Sequence, residues 1–424
     1  MTEIHEFERP HFALLESSLG GRYSIAASDP LYVLEPKDGV SFLDDLRGRL
    51  RETPAVDAPD LPFAGGWIGY LGYELYPETI GKVAPREPAL IPKATLAFYD
   101  RFYLFDHVRN EGRWLQWRPG GRGVDRGPPE RPAKRSTGGP PPSGLRVTPL
   151  PAGALESNFT RNEYLAAVRK IREYIAAGDC YQVNLSQKFT APVSHPPAVI
   201  YERLRSVSPS PYAAFLNLGG AQILSSSPEC FLELAGSKIV TRPIKGTRPR
   251  GNDGDEDAAL KEELLSSPKD RAELLMITDL ERNDLGRVCR TGSVRVRDLR
   301  TVETYPQVHH LVSTIEGELE VGRDILDLLK ATFPGGSVTG APKVRAMQVI
   351  RELEPHAREV YCGAIGYVSL NGKAQFNVAI RTMVVKEGRA HFWSGGGIVA
   401  DSDPESEYKE TLVKAKGMVG ALNA

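Results

Sequence analysis

The stretch TRPIKGTRPRG sets a lysine, Lys245, directly before a glycine at the end of a β-type run, with three arginines around it. A lysine amine is a nucleophile only when it is unprotonated, and burial or nearby positive charge lowers its pKa. Desolvation together with Arg242 and Arg248 would supply both effects. The segment therefore predicts an amine placed for chemistry where a strand meets a loop.

The hairpin before this lysine supplies it with an acidic neighbour. If the turn occupies residues 235–237, Leu234 faces Lys238, and counting outward places Glu229 opposite Pro243. Lys245 then lies on the same face at a diagonal distance of about 7–8 Å. The pair could be an amine and a general acid, or a surface ion pair contributing about 0–1 kcal/mol.

Carboxylates occur in two further segments that favour helices. A helix over KDRAELLMITDLERNDLGRV places Glu273 on an apolar stripe, where a carboxylate needs a partner. In DSDPESEYKETLVKAKGMV, Glu407, Glu410 and Lys414 share one face. The second set could be an ordinary salt-bridged surface helix. Alternatively, carboxylates from two helices could hold Mg²⁺, which prefers oxygen ligands and leaves positions for an anionic substrate.

Two glycine-rich runs, FPGGSVTGAPK and WSGGGIVADS, would let backbone N–H groups approach an anion. Neither is a phosphate loop, because Ala341 and Pro342 stand where that motif requires Lys and Ser or Thr. The anion is therefore expected to be a carboxylate. Arg381, at the end of an apolar run, could pair with one in a bidentate fashion or be a surface arginine at a strand end.

Composition excludes several classes of function. The chain has 424 residues, 41% hydrophobic and 25% charged, with a formal net charge of -1, which is typical of a soluble globular protein and argues against nucleic-acid binding through overall charge. Its four cysteines are scattered, which predicts neither disulfides nor a cysteine zinc site and favours a reducing cytoplasm. No signal peptide or membrane span is expected, since no apolar run reaches about 18 residues.

The chain divides by composition into three predicted parts. Residues 1–117 contain β-type runs and GGWIGYLGYE, interpreted as a glycine-aromatic turn region. Residues 118–157 are rich in Pro, Gly and Arg and predict a linker, since such a segment buries little apolar surface. Residues 158–424 open with a helix whose capping box is Thr160 and Glu163 and whose stop is Gly178.

Several segments together resemble the chorismate-utilising enzymes. They are GDCYQVNLSQ, SSSPE, TRPIKGTRPRG, DRAELLMITDLERNDLGRV, VHHLVST, FPGGSVTGAPKVRAM, YCGAIGY, IRTM and GGGIVADSDPESEYKET. The resemblance is dense over about residues 158–424 and looser before them, where it rests on LLESS, RYSI and GGWIGYLGYE. It implies an α+β fold in which packed antiparallel sheets are covered by helices and both halves of the chain contribute strands.

The resemblance also implies roles for particular residues. Lys245 would be the nucleophile and Glu229 the general acid, and His310 matches an active-site segment without an assigned step. Glu273 and Glu410 would bind Mg²⁺, with Glu407 as an accessory ligand. Substrate contacts are implied for Tyr367, Arg381, Gly395, Gly396, Gly397, Lys414 and Thr339.

Three functions remain open at this stage. A lysine in the PIxGT position is typical of relatives that convert chorismate and ammonia to 4-amino-4-deoxychorismate on the way to para-aminobenzoate and folate. Relatives that form anthranilate usually carry alanine there, so anthranilate formation is the alternative and would make Lys245 a bystander. A non-catalytic subunit that binds chorismate or tryptophan is the third.

The resemblance implies partners as well. No glutaminase segment is recognisable, so ammonia is expected from a separate glutamine amidotransferase subunit, with free ammonium as a substitute. LLESS and RYSI resemble a tryptophan pocket, which predicts tryptophan binding in the N-terminal part.

Overall fold

A computed structural model describes residues 6–17, 19, 21–118, 123–130 and 153–423 of the chain. Its helices α1 to α8 span Phe42–Glu52, Arg161–Ala176, Pro197–Val207, Gly254–Ser266, Pro268–Gly286, Ile325–Thr332, Lys343–Leu353 and Pro404–Asn423. Strands β1 to β11 span Ala13–Glu16, Tyr23–Ala27, Tyr32–Leu34, Gly66–Leu71, Ala94–Tyr99, Arg101–Asp106, Glu111–Trp117, Val124–Arg126, Glu156–Ser157, Gln182–Pro192 and Tyr212–Asn217. Strands β12 to β22 span Gln222–Ser227, Cys230–Ala235, Lys238–Arg242, Ile244–Pro249, Arg295–Thr304, Val308–Glu318, Gly340–Ala341, Ala364–Ser369, Ala374–Val378, Thr382–Lys386 and Arg389–Ile398.

These strands form two large antiparallel sheets. Within the described residues, the first has the order β18-β10-β22-β21-β12-β11-β1-β2-β6-β7-β8, with β9 beside β10. The second has the order β15-β17-β14-β13-β20-β19-β4-β5-β3, with β16 beside β17. The predicted α+β class with packed antiparallel sheets is confirmed.

The main hydrophobic core lies between the two sheets. It joins buried residues of the first sheet, such as Ile25 and Ile223, to residues of the second, such as Trp67 and Phe376. Helices α3 and α8 pack on the outer face of the first sheet through a separate apolar cluster, and α2 and α7 do so through another near β10. Among the described residues, no helix has the length and apolar character needed to cross a membrane.

The N-terminal strands are built into both sheets. Strand β1 pairs with β11, as Ala13 does with Leu216, and β4 pairs with β19, as Gly66 does with Ser369. Each sheet therefore needs strands from before and after the predicted linker. The division at residue 117 marks a change of composition within one folded unit.

The prediction that GGWIGYLGYE forms a turn region is wrong. Most of its residues, Gly66–Leu71, form β4, which is buried along its whole length between β19 and β5. A Cβ atom on Gly69 would lie 2.0 Å from the carbonyl oxygen of Thr95. Glycine here permits close approach of neighbouring strands and does not turn the chain.

Parts of the predicted linker, residues 118–157, are ordered strand. Strand β8 pairs with β7, and Arg126 forms an ion pair with Asp60 at 2.9 Å. Strand β9 pairs with β10. Residues 131–152 lie outside the described residues. The helix predicted after the linker is confirmed as α2, with its capping box formed by Thr160 and Glu163.

The hairpin that follows Glu229 has a shorter turn than the predicted one, but beyond a bulge its strands return to the predicted register. Ala235 faces Lys238, so the turn has two residues, and the register lies one residue from the expectation. A bulge between Cys230 and Glu233 removes that offset and sets Cys230 opposite Arg242. The strand pairing ends there, and continuing its register by one residue sets Glu229 opposite Pro243, the arrangement that the sequence predicted.

The shared sheets predict that the two compositional halves do not fold separately. A chain of residues 153–424 would expose the edges of β11 and β19, and such open edges favour aggregation. We expect this fragment to show no cooperative thermal transition by circular dichroism. Co-expression of residues 1–130 should restore one, whereas a cooperative transition of the fragment alone would contradict the prediction.

Candidate active site

Lys245 is positioned by an irregularity in its strand. The pairing of β15 with β17 shifts register between Ile244 and Thr247, and Gly246 has a φ of 80°. A Cβ atom at Gly246 would lie 2.8 Å from the Leu264 side chain, so a larger residue would be both strained and crowded. The bulge fixes the direction of the half-buried Lys245 side chain.

A buried glutamine shares a pocket with this lysine. A Cβ atom on Gly397 would lie 3.4 Å from Nζ of Lys245 and 2.6 Å from Nε2 of Gln182. Gln182 is 0% exposed, and neither its Nε2 nor its Oε1 atom has a hydrogen-bond partner among the described residues. A buried amide without partners is costly, so it is a candidate contact for a bound polar molecule.

Burial lowers the pKa of Lys245, and the charge of Lys414 lowers it further, while Glu273 and Glu229 oppose the change. The flanking arginines, expected to lower this pKa, are engaged elsewhere. Arg242 pairs with Glu303, and Arg248 pairs with acids of α4 and α5. The neutral amine is thus favoured mainly by desolvation.

Glu229 is held nearby in a form suited to an acid. It lies at the junction of β12 and β13 and is 4% exposed. Burial raises its pKa to about 7, although the nearby Ser337 hydroxyl and the charge of Lys245 act in the opposite direction. A carboxyl group with this pKa retains a proton near neutral pH and can donate it.

Three carboxylates from α5 and α8 approach the same region. Lys269 Nζ lies 4.0 Å from Glu273 and 3.8 Å from Glu407, which brings the two helices together. A Cβ atom on Gly396 would lie 3.1 Å from Glu407 Oε2 and 3.5 Å from Glu410 Oε1. Glu407 and Glu410 therefore lie beside the glycine run of β22, and Lys269 links Glu407 to Glu273.

The charges of this group are only partly compensated. Burial raises the pKa of Glu273 and of Glu407, and the charge of Glu410 raises both further. No group of three or more His, Cys, Asp and Glu side chains in the described part of the chain is close enough to hold a metal ion. The oxygen donors and their mutual repulsion nevertheless fit Mg²⁺ chemically, since a divalent cation would relieve that repulsion.

The glycine run forms one edge of the pocket. Gly395, Gly396 and Gly397 pair with Ser186, Leu185 and Asn184 of β10, and no residue of β21 is in register with them on the opposite edge. That edge can present backbone N–H groups to a ligand. Lys414 donates to the carbonyl oxygen of Gly395 at 3.0 Å and pairs with Glu410 at 2.6 Å.

Arg381 and His310 lie close enough to interact. The charge of Arg381, after the larger effect of burial, lowers the pKa of His310 to about 3, so the imidazole is neutral at physiological pH. His310 Nδ1 shares a hydrogen bond of 2.9 Å with Thr247 Oγ1. Arg381 has a φ of 49°, a conformation that is uncommon outside glycine and that is enriched at functional sites.

Two residues predicted as substrate contacts, Thr339 and Tyr367, also make contacts within the protein. Thr339 is fully buried, and its hydroxyl donates to the carbonyl oxygen of Gly335 at 3.0 Å. Tyr367 packs edge-on against Phe63 and lies on the strand face that borders a different cavity. Tyr361, the other tyrosine of the YCGAIGY segment, stacks on Trp393, two residues before the glycine run.

That second cavity has a volume of about 580 Å³. Ser17, Arg22 and Tyr23 line it, so segments LLESS and RYSI do meet at one cavity, as the predicted pocket requires. Strands of the second sheet complete the wall with Glu233 and Arg242 among others. The cavity thus combines apolar surface with charges of both signs.

A model of the chorismate binding enzymes matches residues 11–420. The chain belongs to this family. It is 41% identical to aminodeoxychorismate synthase component 1 of Bacillus subtilis, over 98% of this chain and 92% of the relative. It is also 41% identical to anthranilate synthase component 1 of Streptomyces coelicolor, over 95% of this chain and 81% of the relative.

Solved structures agree with this assignment. Anthranilate synthase component I of Streptococcus pneumoniae superposes with a TM-score of 0.80 at 33% identity, covering 95% of this chain and 93% of that one. The isochorismate synthase MenF of Escherichia coli shares the fold, with a TM-score of 0.76 at 18% identity, covering 100% of this chain and 91% of that one.

Sequence reasoning missed Gln182, Lys269 and Ser337. Gln182 lies within the quoted segment GDCYQVNLSQ, but nothing in a single sequence distinguishes a buried unpaired amide from a surface one. Lys269 precedes Glu273 by one helical turn, which was a usable signal. Ser337 approaches Glu229 only through the fold of a loop.

Gly397→Ala tests the pocket directly. The added Cβ atom would meet Gln182 and approach Lys245, while the backbone of this strand tolerates alanine. We expect chorismate turnover, measured as kcat/KM, to fall on the order of tenfold or more, with a nearly unchanged melting temperature, because the reacting groups are displaced. Gly420→Ala is the control, since no atom lies within 4 Å of its added Cβ. Wild-type kcat/KM in Gly397→Ala would contradict the pocket assignment.

Proposed function

We propose that the protein converts chorismate and ammonia to 4-amino-4-deoxychorismate through a covalent adduct with Lys245. The observation that carries this proposal is the half-buried lysine with a lowered pKa beside Glu229, whose pKa burial raises to about 7. Relatives named aminodeoxychorismate synthase component 1 support it at 41–42% identity over most of the chain.

The first half of the reaction uses both groups. The lone pair of Lys245 Nζ forms a bond to C2 of the ring, both double bonds of the ring diene shift, and the C4–O bond breaks. Glu229 gives its proton to the departing hydroxyl, which leaves as water. The proton released from the new secondary ammonium can return to Glu229.

In the second half, ammonia forms a bond to C4, both double bonds shift back, and the C2–N bond to Lys245 breaks. The lysine leaves as a neutral amine once it regains a proton. Two displacements with allylic shift give net retention at C4, which a single direct displacement would not. The enolpyruvyl group stays on the ring throughout.

Substrate positioning falls to the charged groups around this pair. Arg381 and the open edge of the glycine run would bind the two carboxylates of chorismate, with Lys414 as a further charge contact. Glu273 and Glu410, with Glu407 as accessory, would hold Mg²⁺. The ion, when bound, supplies positive charge that anchors the ring carboxylate.

Ammonia would come from a separate glutamine amidotransferase subunit. The relatives are named as component 1, which implies a second component in those proteins. We place the reaction in the cytoplasm, where the four free cysteines of the chain would stay reduced. Tryptophan is the proposed occupant of the cavity lined by Ser17 and Arg22.

Anthranilate formation is the second candidate, favoured by relatives of that name at the same 41% identity. In that case ammonia would attack C2 and pyruvate would leave, without a role for Lys245. A purely binding subunit is a weaker candidate, because Lys245 and Glu229 have no evident use in binding alone.

A product assay with chorismate, Mg²⁺ and ammonium separates the candidates. We expect aminodeoxychorismate without pyruvate from the wild type, detected by chromatography and mass spectrometry, and its loss in Lys245→Ala. Wild-type production of anthranilate and pyruvate would reject the proposal. Unchanged aminodeoxychorismate turnover in Lys245→Ala would reject the covalent route.

The pH profile reports on the acid. Glu229 must be protonated to act, so turnover should fall as pH rises through about 7, the pKa of this carboxyl group. Glu229→Gln should lower turnover by roughly 10²-fold or more and remove this alkaline limb. A mutant that kept the wild-type profile would show that another group donates the proton.

Metal removal tests the carboxylate cluster. EDTA should abolish turnover, and added Mg²⁺ should restore it. Glu410→Gln should require a higher Mg²⁺ concentration for half-maximal rate, because one anionic ligand is lost. Glu405→Gln, on the same helix near its start, serves as the matched control and should behave as wild type. Full activity of Glu410→Gln at wild-type Mg²⁺ would exclude a ligand role.

A further inference from the structure

Strand β10 has a gap along the edge that faces away from β22. Strand β22 pairs with residues 183–192 of β10, so β18 and β9 both lie on the other edge. There β18 pairs with residues 182–183, and β9 pairs with residues 189–190. Between them, residues 184–188 have no neighbouring strand on this edge in the part of the chain that the structure describes. Their buried N–H and C=O groups need partners from side chains or loops.

A buried ion pair fills the start of this gap. Arg358 donates to the carbonyl oxygen of Asn184 at 2.7 Å, and Glu354 accepts the backbone N–H of Ser186 at 2.8 Å. Arg358 and Glu354 hold each other through two hydrogen bonds, of 2.7 and 2.9 Å. The two side chains thus take the place of a neighbouring strand along this edge.

Arg358 also reaches the loop between α6 and α7. It donates to the carbonyl oxygen of Val338 at 2.9 Å, and that oxygen also accepts the side-chain amide of Asn184 at 3.0 Å. The backbone N–H of Asn184 donates to the carbonyl oxygen of Thr339 at 2.9 Å. One guanidinium therefore fixes against β10 the loop that carries Thr339, a residue predicted to contact the substrate.

The positions that this ion pair fixes lie opposite the glycine run. Asn184 pairs with Gly397, and Ser186 pairs with Gly395. A Cβ atom on Gly395 would lie 2.9 Å from the Cβ atom of Ser186, so the two strands are in close contact here. A displacement of this part of β10 would therefore move the glycine run with it.

Stability alone does not explain why an ion pair occupies this place. Arg358 is 1% exposed and Glu354 is 2% exposed. Removing two charges from water costs free energy that their attraction offsets only in part, and apolar replacements of such pairs are often neutral. A guanidinium, however, carries its N–H groups in a fixed planar arrangement, so it holds several acceptors in one geometry. The pair is suited to setting a position.

We propose that Arg358, held by Glu354, is a positioning residue for substrate binding, which sets β10 and the loop at Thr339 against the glycine run. It acts through the backbone of these segments and does not contact the substrate. The inference rests on the proposed function only in requiring chorismate to bind at the glycine run.

Affinity for chorismate tests the proposal. Arg358→Lys keeps a positive charge beside Glu354 but loses the planar arrangement of donors, so we expect the Kd of chorismate to rise about tenfold. Isothermal titration calorimetry with Mg²⁺ and without ammonium measures this Kd under conditions in which neither amination product can form. A wild-type Kd in Arg358→Lys would overturn the proposal.

Arg47→Lys is the matched control for lost stability. Arg47 of α1 also bridges two carboxylates, those of Asp324 and Asp327, at 3.1 and 2.9 Å, and lies outside the proposed site. This variant should lower the melting temperature and leave the Kd of chorismate unchanged. An equal rise of Kd in both lysine variants would indicate a general effect of weakened folding and would overturn the positioning role.

A double-mutant cycle with Gly397→Ala tests whether Arg358 acts on the same pocket. Each single substitution displaces the same strand pair, so the double mutant should lose less affinity than the product of the two single losses. Independent, multiplicative losses would overturn the proposal.

Ser186→Ala keeps the proposal testable if Arg358→Lys does not fold. It removes the hydroxyl that donates to Glu354 at 2.8 Å and retains the backbone N–H bond to the same oxygen. The Kd of chorismate should rise about threefold, with a nearly unchanged melting temperature, because one of the contacts that fix β10 is lost. A wild-type Kd in this variant would overturn the proposal.

Failure of this inference can be separated from failure of the proposed function. Product identity, measured with ammonium present, decides between aminodeoxychorismate and anthranilate. The Kd values without ammonium decide the role of Arg358, since both reactions start from bound chorismate.

Discussion

The pairing of β10 with β22 is the constraint on which the site depends. It runs without interruption from Val183 opposite Ile398 to Pro192 opposite Arg389. At one end of it, the three glycines of β22 leave the space that Gln182, Lys245 and the carboxylates of α8 surround. A side chain at Gly397 would fill that space, so the backbone pairing and the missing side chains together define where a ligand fits.

Around this strand pairing, lysine and glutamate side chains from elements distant in sequence offset each other's charge. Lys245 from β15 interacts with Glu229, with Glu273 of α5 and with Glu410 of α8. Burial lowers the pKa of Lys245 and raises the pKa of Glu229, so it favours the neutral form of each group. A site that alternates lysine and carboxylate in this way can bind an anion and a cation together without burying a large net charge.

Sequence reasoning predicted the parts of this site that follow from local pattern. Helix periodicity placed Glu273 on an apolar stripe and set Glu407 and Glu410 on one helix face, and strand counting set Glu229 opposite Pro243. The predicted hairpin turn was one residue too long, which offset the register near the turn by one residue. A bulge between Cys230 and Glu233 removed that offset, and no local sequence pattern signals such a bulge. GGWIGYLGYE was misread because glycine marks both turns and close strand contact, and only the neighbouring strands distinguish the two. The packing of Tyr367 against Phe63 likewise depends on tertiary structure.

The interleaving of early and late strands has a consequence for synthesis of the chain. Residues near Ala13 pair with residues near Leu216, and the floor of the site is completed by strands close to the C-terminus. Contacts of such large sequence separation form slowly, since a long loop must close before any gain is realised. The nascent chain therefore leaves the ribosome with open strand edges for most of its translation, and it depends on rapid final closure to avoid aggregation.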